Sequence, residues 1–402
     1  MPQEFSEDTG SMGDQQIQQL IEKYRPTMVI FPEDPNLRAY GTPDKLTLDE
    51  QGDYHPCPVD LTLNNFQLYG KRKGKMGWLV NRIPALWAGR RRFRDPAHLS
   101  RGLPDKYPTE RSWLKSLIER DVDLKKSTIN LDNVKGANPE QAWAKYFDIA
   151  FDGDSRKPEY PVVTYVRVLE ATDLAKKREL PDGFGSNDVA LQFYFYYYFN
   201  DWFNRHEGDW EGITLLLREK DGDFTPDWVG YAAHIGGARR EWADVNKSPD
   251  DQNSPLVFVG AGSHASYFEH REKGYRTLNR ELKGPGFWKG VGRRSYWLAG
   301  KLGLSSKIEH WDVVPESSDE TRVVPECVLI PENDNRKDPE FWWSSYSGYW
   351  GEIPSELVDF EGGELALSTP GPQGPWLQGS KWKNPFHWVM ELPEGDPPGQ
   401  PE

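Results

Sequence analysis

Seven consecutive aromatic residues, Phe193 to Phe199, constrain this chain more than any other feature. Rings in an unbroken run lose side-chain freedom in a helix and pack well on a pleated surface, so the segment reads as a strand. The residues from Asn200 to Glu211 follow, with Asp201, Glu207, Asp209, Glu211 and the imidazole of His206 crowded together. They run directly into Gly212-Ile213-Thr214-Leu215-Leu216-Leu217, a second strand. Alternate residues of a strand share a face. Asp209, Glu211, Ile213, Leu215 and Leu217 therefore point the same way, and the three aliphatic residues mark that side as core. Carboxylates turned toward a core are costly unless a positive group meets them.

Two compensations are open. One is a buried salt-bridge network with Arg205. The other is a divalent cation held by Asp201, His206, Asp209 and Glu211. Three oxygens and a nitrogen suit Mg2+ or Ca2+, with Mn2+ also compatible, better than a structural zinc. A second segment, Phe258 to Phe268, ends a strand in a glycine-flanked turn that presents Ser263 and His264. His264 is a candidate general base or further ligand, or a turn histidine bonded to a carbonyl. Arg205, Ser263 and Tyr267 are candidate ligand-binding groups. A serine hydrolase is disfavoured, because Gly260-Ala261-Gly262-Ser263-His264 lacks the order of a nucleophile elbow.

Strand-like runs recur along the chain: Met28 to Phe31, Val162 to Leu169, Trp228 to His234, Leu256 to Gly260 and Arg322 to Ile330. With 37 Gly and 32 Pro to make turns, the expected fold is mainly β, an antiparallel β-sandwich core. Residues 1–13 read as a disordered tail, 14–392 as one domain and 393–402 as a flexible tail. Asp14 is expected to cap a helix carrying Ile17, Leu20, Ile21 and Tyr24. A helical insertion is expected at about 71–157, with helices near 110–121 and from Asn138.

The net charge of −14 argues against a general nucleic-acid binder. It is uneven: residues 71–101 hold ten Lys or Arg and one acid, leaving the rest at −23. Trp78 and Trp87 interleave with Arg82 and Arg90-Arg91-Arg92 there, a pattern that suits peripheral contact with an anionic membrane surface or ligand, or simply a solvated helix face. Cys57 and Cys327 form no disulfide framework or zinc spacing. No apolar signal core and no stretch of about 18 apolar residues is seen, so a cytoplasmic location is expected.

The strings Asn204-Arg205-His206-Glu207-Gly208-Asp209-Trp210-Glu211 and Gly262-Ser263-His264-Ala265-Ser266-Tyr267 resemble the vacuolar protein sorting-associated protein 62 family. Tyr24-Arg25-Pro26, Gly348-Tyr349-Trp350-Gly351-Glu352 and Gly371-Pro372-Gln373-Gly374-Pro375 extend the resemblance over about residues 15–392, apart from 71–157. A weaker resemblance is to the necrosis- and ethylene-inducing-peptide-like cytolysins, β-sandwiches with a His-Arg-His-Asp-Trp-Glu signature that holds a divalent ion and engages sphingolipid head groups. By that resemblance His206, Asp209 and Glu211 fall on the signature, His264 matches a later histidine by context and Asp201 matches loosely. Glu207-Gly208 replaces the Arg-His pair, so cytolysis is not implied.

Together these point first to a divalent-cation-dependent binding module for a polar or anionic ligand, a lipid head group among them, with the trafficking association the family name carries. The alternative is a metal-dependent enzyme, a hydrolase or lyase, acting on a small molecule between aromatic walls. In that reading Glu211 or His264 moves the proton. A structural protein with a vestigial site is the third reading.

Overall fold

In a computed structural model of the 402-residue chain, the residues described are 12–30, 54–70, 97–98, 110–120, 129–132, 160–200, 206–233, 236–260, 262–270, 321–332, 335, 337–351, 359–360, 363–364 and 371–395. Helix α1 (Asp14–Tyr24) precedes β1 (Thr27–Ile30) and the one-turn α2 (Asp60–Leu63). A small three-stranded sheet joins β2 (Gln67–Gly70), β3 (Ala97–His98) and β4 (Ile129–Asp132), with α3 (Glu110–Glu119) between the last two in sequence. Next come β5 (Val163–Glu170), α4 (Thr172–Lys177), β6 (Val189–Asn200), β7 (His206–Lys220), β8 (Asp223–Ala233) and β9 (Gly236–Glu241). After these lie β10 (Leu256–Val259), β11 (Ser266–Tyr267), β12 (Thr321–Val323), β13 (Glu326–Leu329), α5 (Ser380–Lys383) and α6 (Pro385–Glu391).

The fold is mainly β. One sheet has six strands in the order β13-β5-β6-β7-β8-β9, and a second has four in the order β11-β10-β1-β12. The aromatic run lies in β6, which is buried along its whole length and pairs antiparallel with β7. Both faces of this pair are covered, so neither strand shows polar alternation. On one face Phe193, Phe195, Tyr197, Asp209, Glu211, Ile213 and Leu215 lie in register. The four-stranded sheet covers it: Tyr231 of β8 donates to the Leu256 carbonyl at 2.8 Å and stacks on Phe268 at 3.9 Å. The other face, with Tyr194, Tyr196 and Trp210, is sealed by Trp343, Trp350 and Trp382.

Arg167 shows how that outer layer is fixed. It is 4% exposed, yet its guanidinium faces the carbonyl end of α5. Arg167 donates to the Trp382 carbonyl and to Gln192 Oε1, while Gln192 Nε2 donates to the Lys381 carbonyl at 2.7 Å. The last carbonyls of a helix lack internal partners, and these two side chains supply them. Arg167 also lies over the Trp382 ring at 4.2 Å.

Several expectations are corrected. Both main sheets are mixed, since β1 runs parallel to β10 and β5 parallel to β13. The strand expected over 322–330 is two strands in different sheets. Pro325 offers no N–H for a continuous ladder, and Val324 beside it is 51% exposed. Asp14 is the first residue of α1; Gly13 takes the cap position without a side-chain bond. Within the expected insertion, Leu114, Leu117, Ile118 and Leu131 join the main core. Residues 1–11, the basic stretch 71–96 with Trp78, Trp87 and Arg90 to Arg92, the helix expected from Asn138, and 396–402 lie outside the described residues. Among the described residues no helix is long and apolar enough to cross a membrane.

Candidate functional site

Strand β7 begins at His206, so the acidic motif is itself part of the sheet. Asp209 pairs with Tyr197 and Glu211 with Phe195. Both carboxylates are buried, at 5% and 2% exposure, on the face that carries Ile213 and Leu215, as their spacing predicts.

Asp209 is bonded on both oxygens. Oδ1 accepts the Trp210 backbone N–H at 2.9 Å. Oδ2 accepts Asn200 Nδ2 at 3.1 Å and faces His264 Nδ1 at 3.3 Å. Burial alone would raise the Asp209 pKa. The hydrogen bond from His264, the charges of His206 and His264, and the Asn200 bond outweigh it, and the pKa falls below its usual value.

The turn after β10 is shaped to deliver His264. The Gly260 N–H donates to the Ala265 carbonyl and the His264 N–H to the Gly260 carbonyl, each at 2.9 Å. His264 itself adopts φ +58°, a left-handed conformation uncommon outside glycine and worth about 1–3 kcal/mol of strain. Its ring stacks on Tyr197, 4.0 Å between centroids and 8° from parallel, and meets the edge of Tyr54 at 6.0 Å. A carboxylate only accepts, so Nδ1 carries the proton. Nε2 is buried and without a hydrogen-bond partner among the described residues.

His206 is arranged in a similar sense. Its Nδ1 donates to the Gly208 carbonyl at 2.8 Å. Burial pushes its pKa down, against the attraction of Asp209, while the charge of His264 adds to the depression. Burial also lowers the pKa of Lys381, opposed by Glu211 and then Asp209, so this amine lies within electrostatic reach of both carboxylates.

The motif is locked in place by backbone contact. Gly208 has φ +62°, and a Cβ there would lie 2.2 Å from the Trp350 carbonyl oxygen. Gly351 and Gly371 press against the Glu207 carbonyl, where added Cβ atoms would approach to 2.1 and 2.6 Å. The Trp350 N–H donates to the Pro372 carbonyl at 2.9 Å. Glycine lets these three segments meet. The late Gly348–Gly351 and Gly371–Gly374 strings thus brace the Glu207–Asp209 stretch.

Of the expected site residues, His206, Asp209 and Glu211 lie on β7, and His264 joins Asp209. Ser263 borders the site through its backbone, its carbonyl receiving Asn200 Nδ2 at 3.5 Å. Tyr267 packs in a separate cluster with Val29, Ala233 and Phe258. Asp201 and Arg205 lie outside the described residues. Asn200, Tyr54 and Tyr197 were not anticipated; the only hint was that Asn200 ends the aromatic run beside the acids. The donor types present, carboxylates and imidazoles with a fixed Nδ1–H, are compatible with a divalent cation. Among the described residues, however, no three His, Cys, Asp or Glu side chains are gathered to hold one.

No protein-family model and no curated protein matches the chain, so the sorting-family resemblance finds no support there. Among solved structures, the chain is similar to Necrosis and Ethylene inducing Protein 2 from the causal agent of cocoa's witches' broom disease. Sequence identity is 19%, over 27% of this chain and 45% of that one, with a TM-score of 0.19. The match spans less than half of that protein. At that TM-score it carries no argument about this chain.

Proposed function

We propose that this chain is a binding module that takes up a polar or anionic ligand through a divalent cation at the Asp209–Glu211 end of β7. The observation that carries the reading is the burial of these two carboxylates on successive same-face positions of a strand. Desolvated carboxylates are costly without positive charge nearby, and a lysine, Lys381, lies within electrostatic reach of both. A divalent ion would stabilise both carboxylates and leave coordination positions for ligand oxygens. A lipid head group is one ligand with suitable oxygens, and its phosphate is the group to test.

The test is sedimentation with vesicles of phosphatidylcholine and phosphatidylserine, in EDTA or with added divalent cation. Binding is expected with cation, and is expected to be lost in EDTA and in Glu211→Gln. Vesicle binding that EDTA and Glu211→Gln leave unchanged refutes the cation-mediated reading. Failure to bind in every condition removes the lipid head group as the ligand.

A further inference from the structure

We propose that the outer edge of β9 is a docking site for an extended acidic segment of a partner protein, and that the chain's own residues Pro393 to Gly395 occupy it as a displaceable strap. The inference stands apart from the cation reading and holds or fails without it.

β9 is the last strand of the six-stranded sheet. An edge strand presents N–H and C=O groups that invite another strand, and here the tail supplies one. The Arg239 N–H donates to the Pro393 carbonyl at 2.9 Å, the Gly395 N–H donates to the Arg239 carbonyl at 2.8 Å, and Arg239 bridges Glu394 in parallel. The hold is slight. Besides this short pairing it has the salt bridge from Arg239 Nη2 to Glu394 at 2.9 Å, and the Glu394 side chain is 68% exposed, so the ion pair contributes little.

What the strap leaves unsatisfied points to the partner. Successive residues of a strand face opposite sides. Arg239 and Glu394 share one side of the pairing, and Arg240 and Gly395 share the other. Arg240 is 3% exposed, and its guanidinium is always charged. Nη2 donates to Glu269 at 2.7 Å, and the guanidinium carbon lies 4.7 Å from the centre of the Phe268 ring. Nε and Nη1 are buried without a hydrogen-bond partner among the described residues. Gly395 brings no side chain to them, yet a Cβ there would lie 3.2 Å from Arg240 Nε, close enough that the guanidinium must shift slightly. The Gly395 backbone lies outside the left-handed region, so an L residue can stand in its place. An aspartate in that position would bring a carboxylate to Nε and satisfy a buried donor with a charge-assisted bond. The edge therefore favours a strand with acidic side chains at two successive positions, one for each arginine, over the tail that covers it. In strand addition, main-chain bonds supply affinity and the side-chain sites select the sequence.

The test is fluorescence anisotropy of a labelled peptide, Ser-Pro-Glu-Asp-Ser, with the full chain. Gly395→Pro removes the N–H that closes the strap and should bind the peptide more tightly than the wild type, where a tethered competitor must be displaced. Gly395→Asp gives the strap the missing carboxylate and should bind the peptide more weakly than the wild type. Replacing the aspartate of the peptide by asparagine should weaken binding by about 10–100-fold. Absence of binding to both the wild type and Gly395→Pro, or equal binding of the asparagine peptide, overturns the proposal. So does a Gly395→Pro chain that dimerises, which would assign the edge to a second copy. The aspartate–asparagine comparison is read on the wild-type chain as well, so a poorly folding variant does not spoil the test.

Discussion

Replacing Gly208 by alanine should destabilise the chain by about 2–5 kcal/mol, and the figure follows from two separate costs. Gly208 sits at φ +62°, where an L side chain costs about 1–2 kcal/mol. The new Cβ would also lie 2.2 Å from the Trp350 carbonyl oxygen. That atom is backbone and cannot swing away, so forced displacement adds about 1–3 kcal/mol, in the usual range for overpacking. Gly222 provides the control. It has φ +86° with nothing within 4 Å of the added Cβ, so Gly222→Ala bears only the conformational cost of about 1–2 kcal/mol. Urea unfolding monitored by tryptophan fluorescence gives both midpoints in parallel. Gly208→Ala is expected to unfold at clearly lower urea, and to perturb the adjacent Asp209. Equal midpoints for the two variants would show that Trp350 does not press on Gly208, and the bracing of the acidic motif would have to be abandoned.

Other expectations are simpler to state. Burial raises the pKa of Tyr165, Tyr194 and Tyr231 above the ordinary value of 10.0. A raised folded-state pKa means stability is complete below pH 10.0 and declines as pH rises past it. Tyrosinate absorbance from these residues should therefore appear together with loss of β-sheet circular dichroism, and tyrosinate forming in a fully folded chain would contradict their burial. Glu269→Ala leaves Arg240 buried without its 2.7 Å partner and should cost about 3 kcal/mol in thermal or urea melts; a neutral result would mean the pair is solvated. Tyr231→Phe removes one hydrogen bond to the Leu256 carbonyl and should cost about 1 kcal/mol, which a double-mutant comparison with Glu269→Ala would show to be additive if the two sites are independent.

The parts of the fold and site legible in the sequence were those governed by local spacing. The aromatic run from Phe193 had to be a strand because neighbouring rings suit no other backbone, and the i, i+2 spacing of Asp209 and Glu211 set their shared face. What spacing could not convey was partnership across the chain. Nothing local indicates that Asp209 is met by His264, 55 residues later, or that Gly351 lies against Glu207. Pairing of β1 with β10 in parallel is equally nonlocal. The division of 322–330 was readable in principle, because Pro325 interrupts the ladder, but the β-branched residues around it suggest continuity. Nor did the acids alone indicate which oxygen of Asp209 faces a histidine.

The central claim is that the buried acids and imidazoles of this site are built around a positive guest. Elemental analysis of the chain purified without chelator, beside Glu211→Gln and His264→Ala, measures this directly. The account predicts close to one divalent ion per wild-type chain and strongly reduced content in both variants. Wild-type protein that is folded, exposed to divalent metals and still carries none would contradict it.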